Sequence, residues 1–179
     1  MPNSLPKMPG NGRTQAWAVE ALAYADALHN LARYLTGNAA DAEDLVQETY
    51  ARAFQGAERF AGGTHLRAWL YRILRNTFVS DWRKRRREVP AAEPPDEAAP
   101  AAELLGDAEL ERLRAVVAGE LQAALMTLHE DFRTAILLDL EGFSEAEMAD
   151  ILGCAPGTVK SRLFRARAAL RALLLEYRR

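Results

Sequence analysis

Apolar residues recur every three or four positions along most of the chain, which is the spacing of one face of an α-helix. Glycines interrupt the pattern at Gly37 and at Gly62-Gly63, and a proline-rich stretch interrupts it after Arg87. No run alternates between apolar and polar residues as a strand does. The pattern predicts helices at residues 17–35, 39–54, 66–87, 109–128, 130–140, 144–152 and 156–175.

Composition agrees with an all-α fold, because Ala, Leu, Arg and Glu predominate and these residues lose little on entering a helix. The stretch at 88–107 combines prolines with acids and cannot form a packed helix. We therefore predict two small helical domains, at residues 16–87 and 108–179. A flexible acidic, proline-rich linker at 88–107 joins them, and a disordered segment at 1–15 precedes them.

The net charge of −2 hides a segregation of charge along the chain. Residues 83–87 are an unbroken basic run, and residues 151–175 hold five basic residues and no acid. Residues 88–111 hold acids and no base. Such segregation indicates separate surfaces for anionic and cationic partners.

Several function classes find no support. Cys154 is the single cysteine, so an internal disulfide or a cysteine-based zinc site is excluded. The histidines lack metal-ligand spacing, and no phosphate-cradling glycine loop or activated nucleophile is evident. We therefore expect no cofactor, no metal and no enzyme activity.

The amino terminus lacks the apolar core of a signal peptide, and no window of uncharged apolar sequence is long enough to span a bilayer. A cytoplasmic protein is expected.

The clearest local motif lies near the carboxyl end. Ser144 and Glu147 have the spacing of a capping box, Gly153 follows the helix as a glycine at the C′ position does, and Pro156 fits a first helical turn. Two short helices joined by a tight glycine turn are typical of a helix-turn-helix.

The last helix carries candidate DNA ligands. Met148, Ala149 and Ile151 are expected to pack on Val159, Leu163 and Phe164 of this helix. Its other face then suits the major groove of DNA. We expect Arg162 to contact a guanine and the neighbouring basic side chains to contact phosphates. The alternative is an ordinary solvated basic face. The candidate residues are Gly157, Thr158, Lys160, Ser161, Arg162, Arg165 and Arg167.

The third predicted helix interleaves basic and aromatic residues, as proteins that hold separated strands do. Trp69 falls on the apolar stripe and is expected in the core, whereas Tyr71 and Trp82 are expected to be freer. The loop before this helix, residues 61–65, could receive an extruded base. The basic stripe consists of Arg67, Arg72, Arg75 and residues 83–87.

Asp44, Gln47 and Glu48 share one face of the second predicted helix, because they are separated by three and four residues. This placement either reflects acids near the start of a helix or forms a docking surface for a basic partner. The acidic linker likewise is either a solvated tether or a mimic of nucleic acid that threads through a positive channel.

Three segments together resemble the extracytoplasmic-function (ECF) branch of the sigma-70 family, over about residues 16–175. They are Asp41-Ala-Glu-Asp-Leu-Val-Gln-Glu-Thr, Leu66-Arg-Ala-Trp-Leu-Tyr-Arg-Ile-Leu-Arg-Asn and Gly157-Thr-Val-Lys-Ser-Arg-Leu-Phe-Arg-Ala-Arg. The resemblance implies a transcription initiation factor that binds core RNA polymerase and promoter DNA, and it implies an anti-sigma factor as regulator.

The resemblance also implies roles for individual residues. The first domain corresponds to region 2 and the second to region 4, whose recognition helix reads the −35 element. Asp44, Gln47 and Glu48 match positions that grip the polymerase clamp helices. The residues expected to melt and read the −10 element are Ala61, Gly62, Gly63, Thr64, His65, Arg72, Arg75, Asn76, Arg83, Lys84 and Arg85.

Two alternatives remain open at this point. A stand-alone helix-turn-helix regulator would bind duplex DNA as a dimer, but it leaves the linker and the aromatic-basic helix unexplained. An adaptor that binds only protein leaves the acid-free stretch at 151–175 unexplained.

Overall fold

A computed structural model of the protein describes the backbone of residues 11–57, 60, 65–88 and 108–176, and the side chains of 17–57, 60, 65–80 and 118–173. These residues form eight α-helices and no strand, which confirms the all-α prediction. Residues 89–107 of the predicted linker lie outside the description. The helices are α1 Asn11–Leu22, α2 Ala25–Thr36, α3 Ala39–Gly56, α4 Leu66–Glu88, α5 Ala108–Thr127, α6 Glu130–Leu140, α7 Glu145–Leu152 and α8 Pro156–Glu176.

The first predicted helix, at 17–35, is wrong as a single element, because a turn at Ala23 and Tyr24 divides it into α1 and α2. The backbone N–H of Tyr24 donates to the carbonyl of Ala21 at 3.2 Å, one residue closer than in an α-helix. Ala21 and Leu28, on either side of the turn, are both fully buried, so the apolar spacing continues where the helix does not. Helix α1 also begins at Asn11, ahead of the predicted boundary at 16.

The helices of the helix-turn-helix begin and end within one residue of the positions that the sequence predicts. The Ser144 side chain accepts the Glu147 backbone N–H, and the Glu147 side chain accepts the Ser144 backbone N–H, so the capping box is complete. The Ser144 hydroxyl also donates to the Glu147 carboxylate at 2.7 Å, and this bond, followed by the one from the Ser144 backbone N–H, holds the pKa of Glu147 below its usual value. Gly153 ends α7 with φ 61°, and α8 begins at Pro156. Each of these signals acts within four residues, which is why it can be read from the sequence.

Two groups of helices form the core and pack against each other. In the first half α3 packs on α2 and α4, and in the second half α6, α7 and α8 pack together. Contacts between the halves join α4 to α7 and α2 to α5 and α6. The largest fully buried apolar side chains are Leu28, Leu35, Leu70 and Leu74 in the first half and Leu125, Leu138, Met148, Ile151 and Val159 in the second.

We predict opposite effects of the same substitution at two glycines. Gly153→Ala places a Cβ in the left-handed region at φ 61° with no steric neighbour within 4 Å, so strain alone should lower the free energy of unfolding by about 1 kcal/mol. Gly119→Ala lies inside α5, also with no neighbour within 4 Å, and should raise that free energy by up to about 1 kcal/mol. Urea denaturation followed by circular dichroism measures both. Equal stability of the two variants would contradict the prediction.

Candidate DNA and polymerase interfaces

Helix α8 presents a polar face to solvent. Val159, Leu163 and Ala166 are buried, and their spacing places them on one side of the helix against α6 and α7. The predicted DNA ligands on the opposite side are exposed, except for the half-buried Arg162. The exposed ones are Gly157, Thr158, Lys160, Ser161, Arg165 and Arg167.

Phe164 does not pack in the core, contrary to the sequence-based prediction. Its side chain is 76% exposed, and Ala166 is buried in its place. Each helical residue advances about 100° around the axis, so position 164 lies about 100° from Leu163 and well outside the buried stripe of 159, 163 and 166.

Three bases of α8 form ion pairs with acids from neighbouring helices. Lys160 Nζ lies 3.4 Å from Glu145, Arg162 Nη2 lies 2.8 Å from Asp131, and Arg167 Nη2 lies 2.6 Å from Asp139. The sequence analysis missed these acids because they lie on α6 and α7, up to 31 positions from their partners in the chain.

An open groove of about 570 Å³ separates the start of α6 from the first half of α8. Arg162 and Arg165 contribute its positive charge, and Asp131 contributes a negative charge beside Arg162. The groove therefore brings together five of the residues predicted to bind DNA. Its lining residues are His129, Asp131, Phe132, Gly157, Thr158, Ser161, Arg162 and Arg165.

Helix α4 places part of the second predicted DNA surface on the outside of the first half. Arg72 and Asn76 are exposed, Arg75 is half-buried, and His65 is exposed just before the helix begins. Arg75 Nη1 donates to Asn76 Oδ1 at 3.2 Å. The loop residues Ala61, Gly62, Gly63 and Thr64, and the side chains of Arg83, Lys84 and Arg85, lie outside the described part of the chain.

Trp69 belongs to an aromatic cluster on the packed side of α4, as its position on the apolar stripe predicts. Its ring lies 5.1 Å from that of Phe60 and 6.0 Å from that of Trp17. Trp17 in turn packs edge-on against Phe54 at 5.2 Å. Such pairs stabilise the core beyond the area that they bury.

Tyr71, predicted as a freer aromatic, is fully buried instead. Its hydroxyl donates to Glu141 Oε2 at 2.8 Å, and its ring packs edge-on against Phe143 at 4.8 Å. Glu141 and Phe143 belong to the turn between α6 and α7, so the second half of the molecule covers this tyrosine. Burial, and then the bond to Glu141, raise the pKa of Tyr71 far above its ordinary value.

Arg67 completes the contact between the halves. Its Nη2 donates to the Glu141 carboxylate at 2.9 Å and to the Glu141 carbonyl at 2.6 Å, and its guanidinium lies 4.2 Å from the centre of the Phe143 ring. A second polar contact runs from Gln122 Nε2 to the Gly37 carbonyl at 3.2 Å. These contacts direct the Arg67 guanidinium toward the second half of the molecule, and its side chain remains 33% exposed.

The predicted polymerase surface lies on α3. Asp44, Gln47 and Glu48 are all exposed on one face, and Glu48 pairs with Arg52 at 2.6 Å. Helix α3 begins at a cap, in which the Asn38 side chain accepts the Asp41 backbone N–H at 2.7 Å. Exposed ion pairs of this kind contribute little to stability, so the acids are free to engage a partner.

Comparison with known proteins decides the family. Residues 21–88 match the family model of sigma-70 region 2, and residues 118–170 match that of sigma-70 region 4. The ECF RNA polymerase sigma factor EcfG of Rhodopseudomonas palustris (strain TIE-1) is 46% identical over 156 residues, covering 87% of this chain and 83% of the relative. The chain belongs to the ECF sigma factors of the sigma-70 family.

Solved structures of sigma factors share the fold. The sigma factor RpoE in complex with the anti-sigma factor NepR, from Bartonella quintana, superposes with a TM-score of 0.72 and 36% identity, covering 89% of this chain and 97% of that chain. CnrH in complex with the cytosolic domain of CnrY superposes with a TM-score of 0.64 and 29% identity, covering 92% and 90%. These comparisons support the sigma-factor interpretation and not the stand-alone regulator.

The described residues of this sigma factor add two findings on other sites. None of their helices has the length and low charge needed to cross a membrane. Their histidines, cysteine and carboxylates form no group that would hold a metal ion.

We predict that Glu141→Ala opens the sigma factor. The substitution removes the acceptor shared by Arg67 and Tyr71, so the halves should separate more often and the radius of gyration should rise in small-angle X-ray scattering. Glu145→Ala is the matched control, because it removes an exposed acid that pairs only within the second half, with Lys160. Scattering curves that do not differ between the two variants would contradict the prediction.

Alkaline pH should act in the same direction. The pKa of Tyr71 is raised in the docked state, so its contribution to docking is present below pH 10.0, the ordinary tyrosine pKa, and is lost as pH rises beyond it. Tyr71→Phe cannot ionise and should remove this part of the pH dependence. A scattering profile with the same alkaline expansion in Tyr71→Phe would show that other groups cause it.

Proposed function

We propose that this ECF sigma factor directs core RNA polymerase to specific promoters, with its first domain, residues 16–87, on the polymerase and the −10 element and its second, residues 108–179, on the −35 element. The observation that carries the proposal is the combination of family membership with a capped helix-turn-helix whose second helix exposes basic side chains. The polymerase performs the nucleotide chemistry in the bacterial cytoplasm, and this chain supplies recognition and strand opening.

Helix α8 enters the major groove at the −35 element in this proposal. Its first two turns, with Gly157, Thr158 and Ser161, approach base edges and sugar-phosphate. Arg162 reads guanine, because the planar fork of its guanidinium matches the two acceptors on that base. Lys160, Arg165 and Arg167 contact phosphates, which fixes the orientation of the domain without reading sequence.

The start of α4 and the loop before it act on the −10 element. His65, Arg72, Arg75 and Asn76 lie on or beside the exposed side of α4 and suit contacts to separated strands. The proposed surface also includes Ala61, Gly62, Gly63, Thr64, Arg83, Lys84 and Arg85. Melting follows from binding energy, since extruded bases gain stacking and pocket contacts that offset the lost pairing.

Regulation in this proposal is by an anti-sigma factor. Support comes from the two sigma factors of similar fold, one solved with the anti-sigma factor NepR and the other with the cytosolic domain of CnrY. A protein bound over the DNA and polymerase surfaces blocks initiation until a signal releases it.

The acidic linker at 88–107 passes near the polymerase active centre once the two domains separate on the enzyme.

Run-off transcription tests the function directly. Core polymerase is supplied with this protein and a library of promoter fragments from the same genome, and transcripts are sequenced. Discrete start sites that require the protein are the expected result. If no start site depends on the added protein, although it binds duplex DNA alone, the proposal fails.

Two substitutions in α8 should separate base reading from phosphate binding. Arg162→Ala is expected to weaken binding mainly at −35 sequences, by about 1–3 kcal/mol, because it removes a base contact. Lys160→Ala should weaken binding to all duplexes. It should also make the slope of log affinity against log salt concentration less steep by about one unit, the amount expected for one lost phosphate contact. Fluorescence anisotropy with holoenzyme and duplexes of both kinds measures the division. Equal losses on every sequence for both variants would reject it.

The acidic face of α3 is tested by a double variant. Asp44→Ala with Glu48→Ala should reduce affinity for core polymerase by about tenfold or more without unfolding the chain, because both side chains are exposed. Glu20→Ala with Glu120→Ala removes the same charge from exposed positions on α1 and α5, and should leave the affinity unchanged. Unchanged polymerase affinity in the first double variant would exclude this face as the docking surface.

A further inference from the structure

The ion pair between Arg162 and Asp131 differs from the other two pairs of α8 in the burial of its basic side chain, whereas Asp131 and Asp139 are exposed to about the same degree. The side chains of Arg162 and Asp131 are 19% and 31% exposed, whereas Lys160 and Arg167 are 65% and 58% exposed. Water screens the last two bases, so they exchange partners readily, but it screens the guanidinium of Arg162 much less. Arg162 is therefore the base of α8 whose orientation is most strongly set by a protein carboxylate.

A second, weaker contact involves the other terminal nitrogen of the same guanidinium. Arg162 Nη1 lies 3.8 Å from the Cys154 sulfur, in the turn between α7 and α8, while Nη2 binds Asp131. Arginine has five N–H donors, so these two contacts leave others free. Those donors belong to a side chain that lines the groove together with Thr158, Ser161 and Arg165.

The position of Asp131 is itself set by the start of α6. Asp131 is the second residue of this helix, and its backbone N–H donates to His129 Nδ1 at 3.3 Å. A carboxylate in the first turn is favoured by the partial positive charge of the helix terminus. The acid is thus held by the backbone of a packed helix rather than by a flexible loop, which suits it to orient another side chain.

We propose that Asp131 is a positioning residue for promoter recognition, which holds the Arg162 fork in the orientation that reads a base of the −35 element. The inference rests on the proposed function of α8. An arginine free in solvent populates many rotamers, and restricting it on binding costs affinity. A carboxylate that restricts the arginine before binding reduces this loss of affinity for the DNA sequence that the arginine recognises. A sequence without the matching base makes no such contact, so its affinity does not increase.

The test uses full-length protein bound to core polymerase. A preferred −35 sequence is first obtained by selection from a randomised duplex, and affinity is then measured for that sequence and for a scrambled one. Asp131→Asn should reduce the ratio of the two affinities by about tenfold, since a bidentate base contact distinguishes bases by one to two orders of magnitude. Asp131→Glu, which keeps the charge, should restore part of the ratio.

Asp139→Asn is the matched control, because it makes the same change on the same helix beside the exposed Arg167. Removing that acid should tighten binding to every duplex and leave the ratio unchanged. If Asp139→Asn lowered the ratio as much as Asp131→Asn, loss of charge alone would explain the result and the inference would be overturned.

A double-mutant cycle separates positioning from stability. In an Arg162→Ala background, Asp131→Asn should have no further effect on the ratio, whereas a merely structural role would persist there. A ratio that falls in Arg162→Ala but not in Asp131→Asn overturns this inference and leaves the proposed function intact. A ratio unaffected by Arg162→Ala overturns the base-reading role of Arg162 itself.

Discussion

The carboxylate of Glu141 accepts hydrogen bonds from Arg67 and Tyr71, and in this way it joins the turn between α6 and α7 to the start of α4. The docked arrangement of the two halves depends on this contact more than on any other polar one described. Removing the carboxylate takes the acceptor from the hydroxyl of the fully buried Tyr71, while Arg67 keeps its bond to the Glu141 carbonyl. While the halves are docked, Glu141 and Phe143 engage Arg67, so a phosphate would compete with Glu141 for its guanidinium.

A common principle links this contact to those within the second half. Glu141, Asp131, Asp139 and Glu145 each bind a basic side chain that belongs to a proposed DNA surface or lies beside one. A carboxylate and a phosphate make similar charge-assisted bonds to a guanidinium. In the proposed function, a phosphate competes with the acid at the exposed Lys160 and Arg167, whereas Asp131 stays on the less exposed Arg162 and orients it.

Sequence reasoning succeeded where the determining interaction is local. The Ser144 capping box, the glycine at 153 and the start of α8 at Pro156 all follow from signals within four residues. It failed where distant segments decide the outcome. Tyr71 is buried by a turn 70 positions away, and Asp131 reaches Arg162 across 31 positions, so no local pattern could signal either contact.

The helix periodicity gives different information at Phe164 and at the α1–α2 turn. Phe164 lies about 100° around the helix from Leu163, so the spacing of the buried residues places it outside their stripe, and Ala166 fills the place predicted for it. At the turn, apolar spacing continues from Ala21 to Leu28 across Ala23 and Tyr24, because both helices pack on the same core. Periodicity reports the direction of burial, not the continuity of the backbone.

The polar character of the contact between the halves bears on how it opens. Arg67 and Glu141 are 33% and 29% exposed, so water already reaches the pair and its net contribution is of the order of 1 kcal/mol. The stacking of Arg67 on Phe143 and the burial of Tyr71 add to it, but an equilibrium of a few kcal/mol can be shifted by a partner that binds one state better. The buried apolar residues of both halves belong to one continuous core, so the Arg67–Glu141 pair adds to docking rather than carrying it alone. It is also the part of the contact for which a DNA phosphate would compete, because both partners are partly exposed.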